Sequence, residues 1–423
     1  MNTARRQDYY WNSGYDTLPP NAVAKNVLTV TSVNDVSGGW SSPASAESSP
    51  FASWGPPDYG HIKPDVAANG EKLYSSVEDG GYSDQTPDGN DISGTSMAAP
   101  GVAGLAGLLG EALQRQFGDD YEPPAALLKA LIIAGADDLA PTGPDYKTGW
   151  GLANGRKSAE LVALNAVSGG QYLLRISVPS NANLQNNSPV SFTIKALGGV
   201  PLVVTAVWLD LPGTEEPPPA SLDPAGYLPS ANQSLSVLKN DIDVKVARGG
   251  ATWHPPSLNR ADFISFSPNS TASPTYGLAT YNGPNHRDTV EKIIIPQPGT
   301  TQSNPIAGQE YIITCKAADN VVLRNAASQP APQDLYIVLS GIQPQGTPLF
   351  QIVWFEETAD NEVTLMWPSV PGATYWVQYS DTLATGSWSD ISGSSVTATQ
   401  PYTTKAVAKP DQPHRFYRIR RAS

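Results

Sequence analysis

The sequence predicts a multidomain chain in which an α/β domain, with a parallel sheet and helices, precedes two all-β sandwich domains. In the first part, residues 27–33 form a β-branched run and residues 97–116 form a long stretch rich in small residues and leucine, typical of a helix. From about residue 169 the helical periodicity disappears, and short alternating apolar runs separated by turn residues replace it. A segment at 341–348 has the composition of a linker to a last β-rich stretch.

The elements can be placed in order along the chain. After the strand at 27–33, we expect helices at 97–116, 124–135 and 153–166. The alternating runs then predict strands in the second part at 172–178, 190–196, 202–209, 242–246, 293–295, 311–315 and 335–339, and in the third part at 362–367, 375–379, 395–399 and 415–419. The predicted domains are therefore residues 1–168, residues 169–345 as a jelly-roll-like β-sandwich, and residues 346–423 as a small, fibronectin-III-like sandwich.

Composition excludes several classes of function. The 423 residues carry a net charge of −13, with a pI of about 4.7, and an acidic surface repels phosphate, so nucleic acid is not expected as a partner. No uninterrupted apolar run reaches the length of roughly 18 residues that a membrane span needs, and residues 1–14 lack the apolar core of a signal peptide. The single cysteine, Cys315, rules out an internal disulfide and a Cys-rich zinc site, and we expect it to be buried.

The segment SGTSMAAPGVAG at 93–104 contains the candidate chemistry. Gly94 allows a tight approach of the backbone, and Ser96 is expected in the first turn of the long helix. The unpaired N–H groups of that turn, including that of Ser96, and the helix dipole favour an oxyanion beside the serine. Pro100 is expected within about the first turn, where its missing N–H costs little. The competing interpretation is an N-capping Ser or Thr before an ordinary core helix.

The run GTSMAAPGVAG at 94–104 resembles the nucleophile signature of the subtilase family of serine peptidases. Blocks at 24–33, 51–70 and 145–153 are similar to other segments of that family in the same order, so the resemblance covers about residues 20–160. It implies an acyl-transfer hydrolase, nominally a peptidase, with Ser96 as nucleophile and Gly94 and Thr95 beside the substrate. No cofactor is required for this chemistry.

The same resemblance implies that the catalytic domain is truncated, because the family's Asp and His precede the Ser and neither motif is present before Ser96. His61 lies where the family carries Arg, so we expect it at the surface rather than as a general base. Asn2 is a weak candidate for the oxyanion Asn. The general base is therefore unknown. A base borrowed from elsewhere would leave hydrolysis of activated esters easier than that of peptides. The other histidines are His254, His286 and His414.

Loss of several parallel strands would expose an apolar edge and face of the sheet. We therefore expect a second copy of the chain, a separate N-terminal fragment or a rearranged N-terminus to cover it. Blocks at 202–210, 238–246 and 285–295 resemble the β-sandwich attached to many secreted subtilases, which implies an extracellular protein. That sandwich often holds calcium, and oxygen ligands suited to a structural calcium ion are present at Asn240, Asp241, Asp243, Asp288 and Glu291, with a hydrogen-bonded turn as the alternative.

Two non-catalytic interpretations remain open at this point. The absent Asp and His favour an inactive pseudo-peptidase fragment or a secreted binding module. A carbohydrate-binding protein is the weaker alternative, because the C-terminal aromatic residues on which it depends are more typical of sandwich cores and hairpins. Those aromatic residues are Trp367, Tyr375, Trp376, Tyr379 and Trp388.

Overall fold

The fold was analysed in a computed structural model. It describes residues 17–36, 38–57, 59–77, 81–85, 89–181, 188–213, 237–258, 279–344, 352, 354–357, 362–369, 372–382, 386–399, 402–408 and 415–421. Asn2 and His414 lie outside these residues, as do the segments at 215–219 and 267–274, for which proline and other turn-forming residues predict surface loops.

The first part of the chain is built around two short parallel strands, β1 (Val30–Val33) and β2 (Val66–Asn69), which pair in register from Val30 opposite Val66. All residues of β1 are buried, as the β-branched run predicts, although the strand begins three positions later than expected. The short antiparallel pair β3 (Ser75–Ser76) and β4 (Tyr82–Ser83) follows, and 3₁₀ turns lie at Pro20–Ala22 and Pro43–Ser45. The predicted parallel pairing with helices is therefore present in the described residues.

Three helices follow: α1 (Thr95–Phe117), α2 (Ala125–Gly135) and α3 (Gly155–Val167). They confirm the three helices that periodicity predicted, with ends shifted by one or two residues. At the start of α3, the Asn154 side chain accepts a hydrogen bond from the Lys157 N–H at 3.0 Å and so caps the helix. Pro100 lies at the sixth position of α1 rather than in its first turn, so the Ser96 carbonyl lacks the N–H donor that residue 100 would otherwise supply.

The second part forms a sandwich of two sheets. Its strands are β5 (Leu173–Val178), β6 (Val190–Ala196), β7 (Leu202–Val207), β8 (Ile242–Arg248), β9 (Ala251–Trp253), β10 (Ser257–Leu258), β11 (Ala279–Thr280), β12 (Val290–Ile295), β13 (Glu310–Ala317), β14 (Gln333–Ser340) and β15 (Ile342–Gln343). One sheet has the order β12-β7-β14-β5, the other has the order β15-β6-β13-β8-β9, and β10 pairs with β11. The linker prediction at 341–348 is wrong at its start, because Ile342 and Gln343 pair with β6.

The α/β part and the first sandwich share one hydrophobic core, because α2 packs against both β7 and β14. Helix α2 is apolar on nearly every side, and Leu131, Ile132 and Ile133 are all fully buried. No break in the core marks the predicted boundary at residue 168, and the domain limits themselves stay predictions.

The last part has a separate core centred on Trp367 and Tyr375, both fully buried, with ring centroids 6.1 Å apart. One of its sheets has the order β16-β17-β21, and the other joins β19, β20 and β22 to β18. At the second sheet, arginines lie over three further aromatic rings: Arg420 over Trp376, Arg415 over Tyr379 and Arg418 over Trp388. The strands are β16 (Trp354–Glu357), β17 (Glu362–Pro368), β18 (Thr374–Ser380), β19 (Ser389–Asp390), β20 (Val396–Thr397), β21 (Tyr402–Ala408) and β22 (Phe416–Arg421).

Helix α1 is the most exposed apolar element of the α/β part. Ala98, Val102, Leu109 and Leu113 are buried on one side, whereas the other side is open and Leu108 is 67% exposed. Exposed apolar surface in this part of the chain thus includes this helix, whereas every residue of β1, on the sheet for which an exposed apolar edge and face was predicted, is buried. By length and hydropathy α1 could cross a membrane, contrary to the expectation from uninterrupted apolar runs, but one such helix is weak evidence for a span.

Candidate active site

Ser96 lies at the second position of α1, directly after the Gly94 N-cap and Thr95. Its side chain is exposed, whereas Gly94 and Thr95 are buried beneath it. The helix begins here because the chain returns from the loop onto the end of β2, where the Gly94 N–H donates to the Gly70 carbonyl at 2.6 Å. The predicted nucleophile is therefore presented to solvent from a rigid strand–helix junction.

Gly70 is essential to that junction. A Cβ at this position would collide with Ser32 Oγ and would lie 2.7 Å from the Gly94 carbonyl oxygen. Ser32 is itself fixed, because its hydroxyl is 2.7 Å from that of Ser49 and both serines are buried. Only glycine at position 70 lets the end of β2 approach the start of α1 this closely.

In the first turn of α1, the donors after Ser96 are engaged by the Gly94 carbonyl, which leaves the Ser96 N–H as the candidate oxyanion donor. The N–H groups of Met97 and Ala98 both approach the Gly94 carbonyl, at 2.9 and 3.4 Å. The N–H of Ser96 lies earlier in the turn, where a helix supplies no acceptor of its own. Together with the helix dipole, this arrangement favours negative charge beside the serine hydroxyl. The roles of Ser96, Gly94 and Thr95 stay predictions.

His61 is not the surface residue that the sequence suggested. It is only 4% exposed, and its Nε2 lies 2.7 Å from the Val23 carbonyl oxygen. Burial, assisted by the charge of Lys63, lowers the pKa of His61 to about 4, so the ring is neutral at pH 7. None of the three histidines in the described part of the chain hydrogen-bonds to Ser96, and within the same residues the Ser96 hydroxyl has no hydrogen-bond partner.

A buried ion cluster beside His61 was missed by sequence reasoning. Asp65 lies between two lysines, 2.5 Å from Lys63 Nζ and 2.8 Å from Lys129 Nζ, and it also accepts a hydrogen bond from the Thr29 N–H. The two ammonium groups lower the pKa of the Asp65 carboxyl despite its burial. The Lys-Pro-Asp run at 63–65 is visible in the sequence, but Lys129 joins it only because α2 packs here.

The five predicted calcium ligands do not converge on one point. Asn240 bonds through both ends of its amide to Arg324 and Gln333, and Asp288 accepts from the Ile62 N–H at 2.6 Å and from the Asn285 amide at 2.8 Å. Asp241, Asp243 and Glu291 each keep one buried carboxylate oxygen without a hydrogen bond. A calcium ion on these residues stays a prediction.

Within the described residues, the group able to hold a metal ion is instead Asp241, Asp243 and His286. His286 could not be placed near the two aspartates from sequence, because some forty residues separate it from them along the chain. The strand alternation that put Asp241 and Asp243 on one face was the available signal.

These features place an exposed serine at the N-terminus of a helix that packs on parallel strands. The Subtilase family model matches residues 10–151. A C5a peptidase of Streptococcus pyogenes is 45% identical over 116 residues, which is 26% of this chain and 9% of that protein. The match of the Subtilase family model over residues 10–151 confirms the resemblance of the four sequence blocks to that family. The match spans only 9% of the length of this curated relative.

Two solved structures are similar to the chain at low sequence identity. A lanthipeptide protease is 20% identical and covers 36% of this chain and 49% of its own, with a TM-score of 0.26. Fervidolysin from Fervidobacterium pennivorans, a keratinolytic enzyme related to subtilisin, is 15% identical and covers 92% of this chain and 44% of its own, with a TM-score of 0.24.

Proposed function

We propose that this chain is a serine hydrolase of the subtilisin type, acting by acyl transfer through Ser96 on a peptide or protein substrate. The observation that supports the proposal is the exposed Ser96 in the first turn of α1, within a segment of the subtilase family. Gly94 and Thr95 border the position that a substrate carbonyl would occupy.

In the proposed reaction, Ser96 Oγ attacks the carbonyl carbon and its proton passes to a base. The carbonyl oxygen becomes an oxyanion facing the N–H groups of the helix start. Collapse of this intermediate expels the amine or alcohol with a proton, and water then releases the acid from the serine ester. A general base is worth about 10²–10⁴ in rate. Ester hydrolysis depends less on protonation of the leaving group than peptide hydrolysis does. A site with a poorly placed base should therefore keep more of its esterase activity than of its peptidase activity.

The proposed base comes from a polypeptide that covers the open side of α1, either a second copy of the chain or a separate N-terminal fragment. Leu108 and Phe117 are 67% and 48% exposed on this helix, an apolar surface that such a segment would bury. Light scattering after size-exclusion chromatography, at several concentrations, would reveal self-association. A strictly monomeric protein would contradict the second copy and leave a separate N-terminal fragment or a rearranged N-terminus as the proposed cover.

A second candidate function is non-catalytic binding. It is favoured by the burial of His61, which removes the one histidine near the motif from service as a base. In an inactive pseudo-peptidase of this kind, the junction between β2 and α1 at Ser96 would have only a structural role. By the same family resemblance we propose that the protein acts outside the cell, which fractionation of the producing organism would test.

The deciding experiment follows hydrolysis of a chromogenic short-chain ester and of a labelled protein by the wild type and by Ser96→Ala. Ser75→Ala is the matched control, because Ser75 is an exposed serine on a short strand of the same part of the chain. A fluorophosphonate probe, followed by mass spectrometry of the labelled peptide, adds a direct measure of Ser96 reactivity.

We expect ester turnover and probe labelling in the wild type and in Ser75→Ala, and loss of both in Ser96→Ala. Protein cleavage with the same dependence on Ser96 would establish a peptidase. Equal background rates in all three proteins, without labelling of Ser96, would contradict the enzyme proposal and leave the binding function.

A further inference from the structure

A mixed oxygen and nitrogen cluster lies at one end of the first sandwich, away from Ser96. His286 Nδ1 is 2.9 Å from Asp241 Oδ2 and 3.5 Å from Asp243 Oδ1. One ligand atom from each of the three side chains lies within 4.8 Å of the others. Asp241 and Asp243 stand at the start of β8, and His286 stands on the segment before β12, so the cluster joins two sheets.

The carboxylates of this cluster are buried and incompletely satisfied. Asp241 is 6% exposed and Asp243 is 8% exposed, and each has a buried Oδ1 without a hydrogen bond. The free oxygen of Asp243 is the one that faces His286. Buried carboxylate oxygens without a hydrogen-bond donor are costly, so the two unpaired Oδ1 atoms leave the cluster able to accept a further positive group beside His286 and Lys316.

The spacing of the ligand atoms suits a small divalent ion. Bonds of about 2.1 Å to one ion place neighbouring ligands about 3.0–3.4 Å apart in octahedral or tetrahedral geometry. The separations from His286 Nδ1, 2.9 Å to Asp241 Oδ2 and 3.5 Å to Asp243 Oδ1, lie just outside the two ends of that range. The shorter one is a hydrogen bond, which a bound ion would replace. An imidazole nitrogen is a ligand for zinc and its neighbours in the first transition row, whereas calcium and magnesium take oxygen ligands.

We propose that Asp241, Asp243 and His286 bind one divalent first-row transition-metal ion, with zinc as the representative ion. The imidazole side chain is 50% exposed, so the remaining coordination positions open to solvent and the ion has an entry path. Lys316 Nζ lies 3.6 Å from Asp243 Oδ2 and draws that oxygen away, which leaves Oδ1 directed at the imidazole.

Glu291 supports the site from behind. It is fully buried, and its Oε2 accepts the Val244 N–H at 2.6 Å, on the stretch of β8 that β9 does not reach. This contact bridges the two sheets next to Asp243 and fixes the backbone that carries both aspartates. The segment with His286 also carries Asp288, whose carboxylate accepts the Ile62 N–H of the α/β part. A metal on His286 would therefore also stiffen the segment that joins the first two parts of the chain.

The test is calorimetric titration of the whole metal-free chain with Zn²⁺ and, separately, with Ca²⁺. We expect one zinc ion per chain, and a loss of zinc affinity of more than about tenfold in His286→Ala and in Asp243→Asn. His254→Ala is the matched control, because His254 is a partly exposed histidine of the same sandwich that takes no part in the cluster. It should bind zinc as the wild type does.

Folding and ligand identity are checked independently. Co²⁺ added to the wild type should give a visible absorption spectrum that is absent in His286→Ala, and zinc should raise the Tm of the wild type but not of that variant. Since the His286 side chain is half exposed, its replacement leaves the core intact. Equal zinc affinity in the wild type and His286→Ala would overturn the proposal. So would Ca²⁺ binding that is tighter than that of Zn²⁺ and independent of His286.

Discussion

The Asp65 cluster and the Ser96 end of α1 belong to the same subtilase segment but differ in every physical respect. Asp65 is 1% exposed and bonds to Lys63, Lys129 and the Thr29 backbone. Ser96 is exposed, and no hydrogen bond to its hydroxyl exists among the described residues. The Asp65 carboxylate is paired with two ammonium groups and a backbone N–H. The Ser96 hydroxyl is held in place by the backbone of the helix start, without a side-chain partner among the described residues.

The difference separates what the family segment does for folding from what it does for chemistry. Neighbouring parts of the chain provide the partners of Asp65, and the same junction extends to the sandwich: Lys25 bonds to Asp210 at 2.6 Å, and Lys292 donates to the Ile133 carbonyl at 2.9 Å. The packing function of the segment is thus complete within the described chain, whereas the proposed catalytic function needs a further group.

The largest expected effect comes from removal of the central carboxylate. Asp65→Ala leaves the buried Lys63 and Lys129 without their counter-charge, and we expect the free energy of unfolding to fall by about 3–5 kcal/mol. Urea denaturation followed by circular dichroism measures this change. The control is Glu111→Ala, which breaks an exposed pair with Arg115 on α1 and should cost less than about 0.5 kcal/mol. Similar losses in both variants would show that the cluster is not the stabilising feature.

The second prediction concerns pH at the same junction. Burial lowers the pKa of Lys292 from 10.5 to about 8, so between those values the unfolded chain holds a proton that the folded chain has released. The free energy of unfolding should therefore rise with pH over this interval, by about 3 kcal/mol for Lys292 alone. Lys63, with a pKa lowered to about 8, acts in the same direction.

Lys292→Met isolates the contribution of that lysine, because the apolar chain still fills the space near Trp150. Relative to this variant, the wild type should gain stability as pH rises from 7.5 to 10.5 in urea titrations. Any increase in the free energy of unfolding with pH that remains in Lys292→Met is attributed to the lowered pKa of Lys63. Parallel pH profiles for the two proteins would show that Lys292 is not held in the low-dielectric environment described here.

The sequence predicted the positions of helices and strands well, but it predicted the contacts between distant side chains poorly. Period-2 runs such as 190–196 and 311–315 identified strands directly, since one face of each is buried. The run GTSMAAPGVAG likewise fixed the place of Ser96 at a helix start. Local pattern also misled at Ile342, where an apparent linker pairs with β6.

The missed features all depend on distant contacts. His61 is buried because Val23 and the charged junction surround it, and nothing in its own neighbourhood of sequence predicts this. His286 meets Asp241 only because strands of two different sheets end side by side. Side-chain chemistry can be read from a sequence, but the convergence of groups from separate elements requires the fold.

The third prediction tests how tightly the Ser96 position is built. In Gly70→Ala the new methyl would collide with Ser32 Oγ and the Gly94 carbonyl, so the loop before Ser96 must shift. We expect a loss of about 1–3 kcal/mol in the free energy of unfolding and weaker fluorophosphonate labelling of Ser96. Gly250→Ala, where nothing lies within 4 Å of the added atom, is the control and should leave both measurements unchanged. Unchanged labelling in Gly70→Ala would show that the reactivity of Ser96 does not depend on the close packing at this junction.

The smallest effect is expected on the open side of α1. Gly107 is exposed inside the helix, and an added Cβ would meet nothing within 4 Å. Gly107→Ala should therefore raise the free energy of unfolding by about 0.5–1 kcal/mol, because alanine loses less backbone entropy in a helix than glycine.

The direction of this small effect distinguishes an open helix from a covered one. Gly104, also free of contacts within 4 Å, provides an independent repeat of the substitution. If both variants are more stable at every protein concentration, the helix face is free in the isolated chain. If instead the variants become less stable than the wild type as the protein concentration rises, a second copy packs closely on the glycines in the wild type and excludes the added methyl group. The second result would identify the surface from which a base for Ser96 could be supplied.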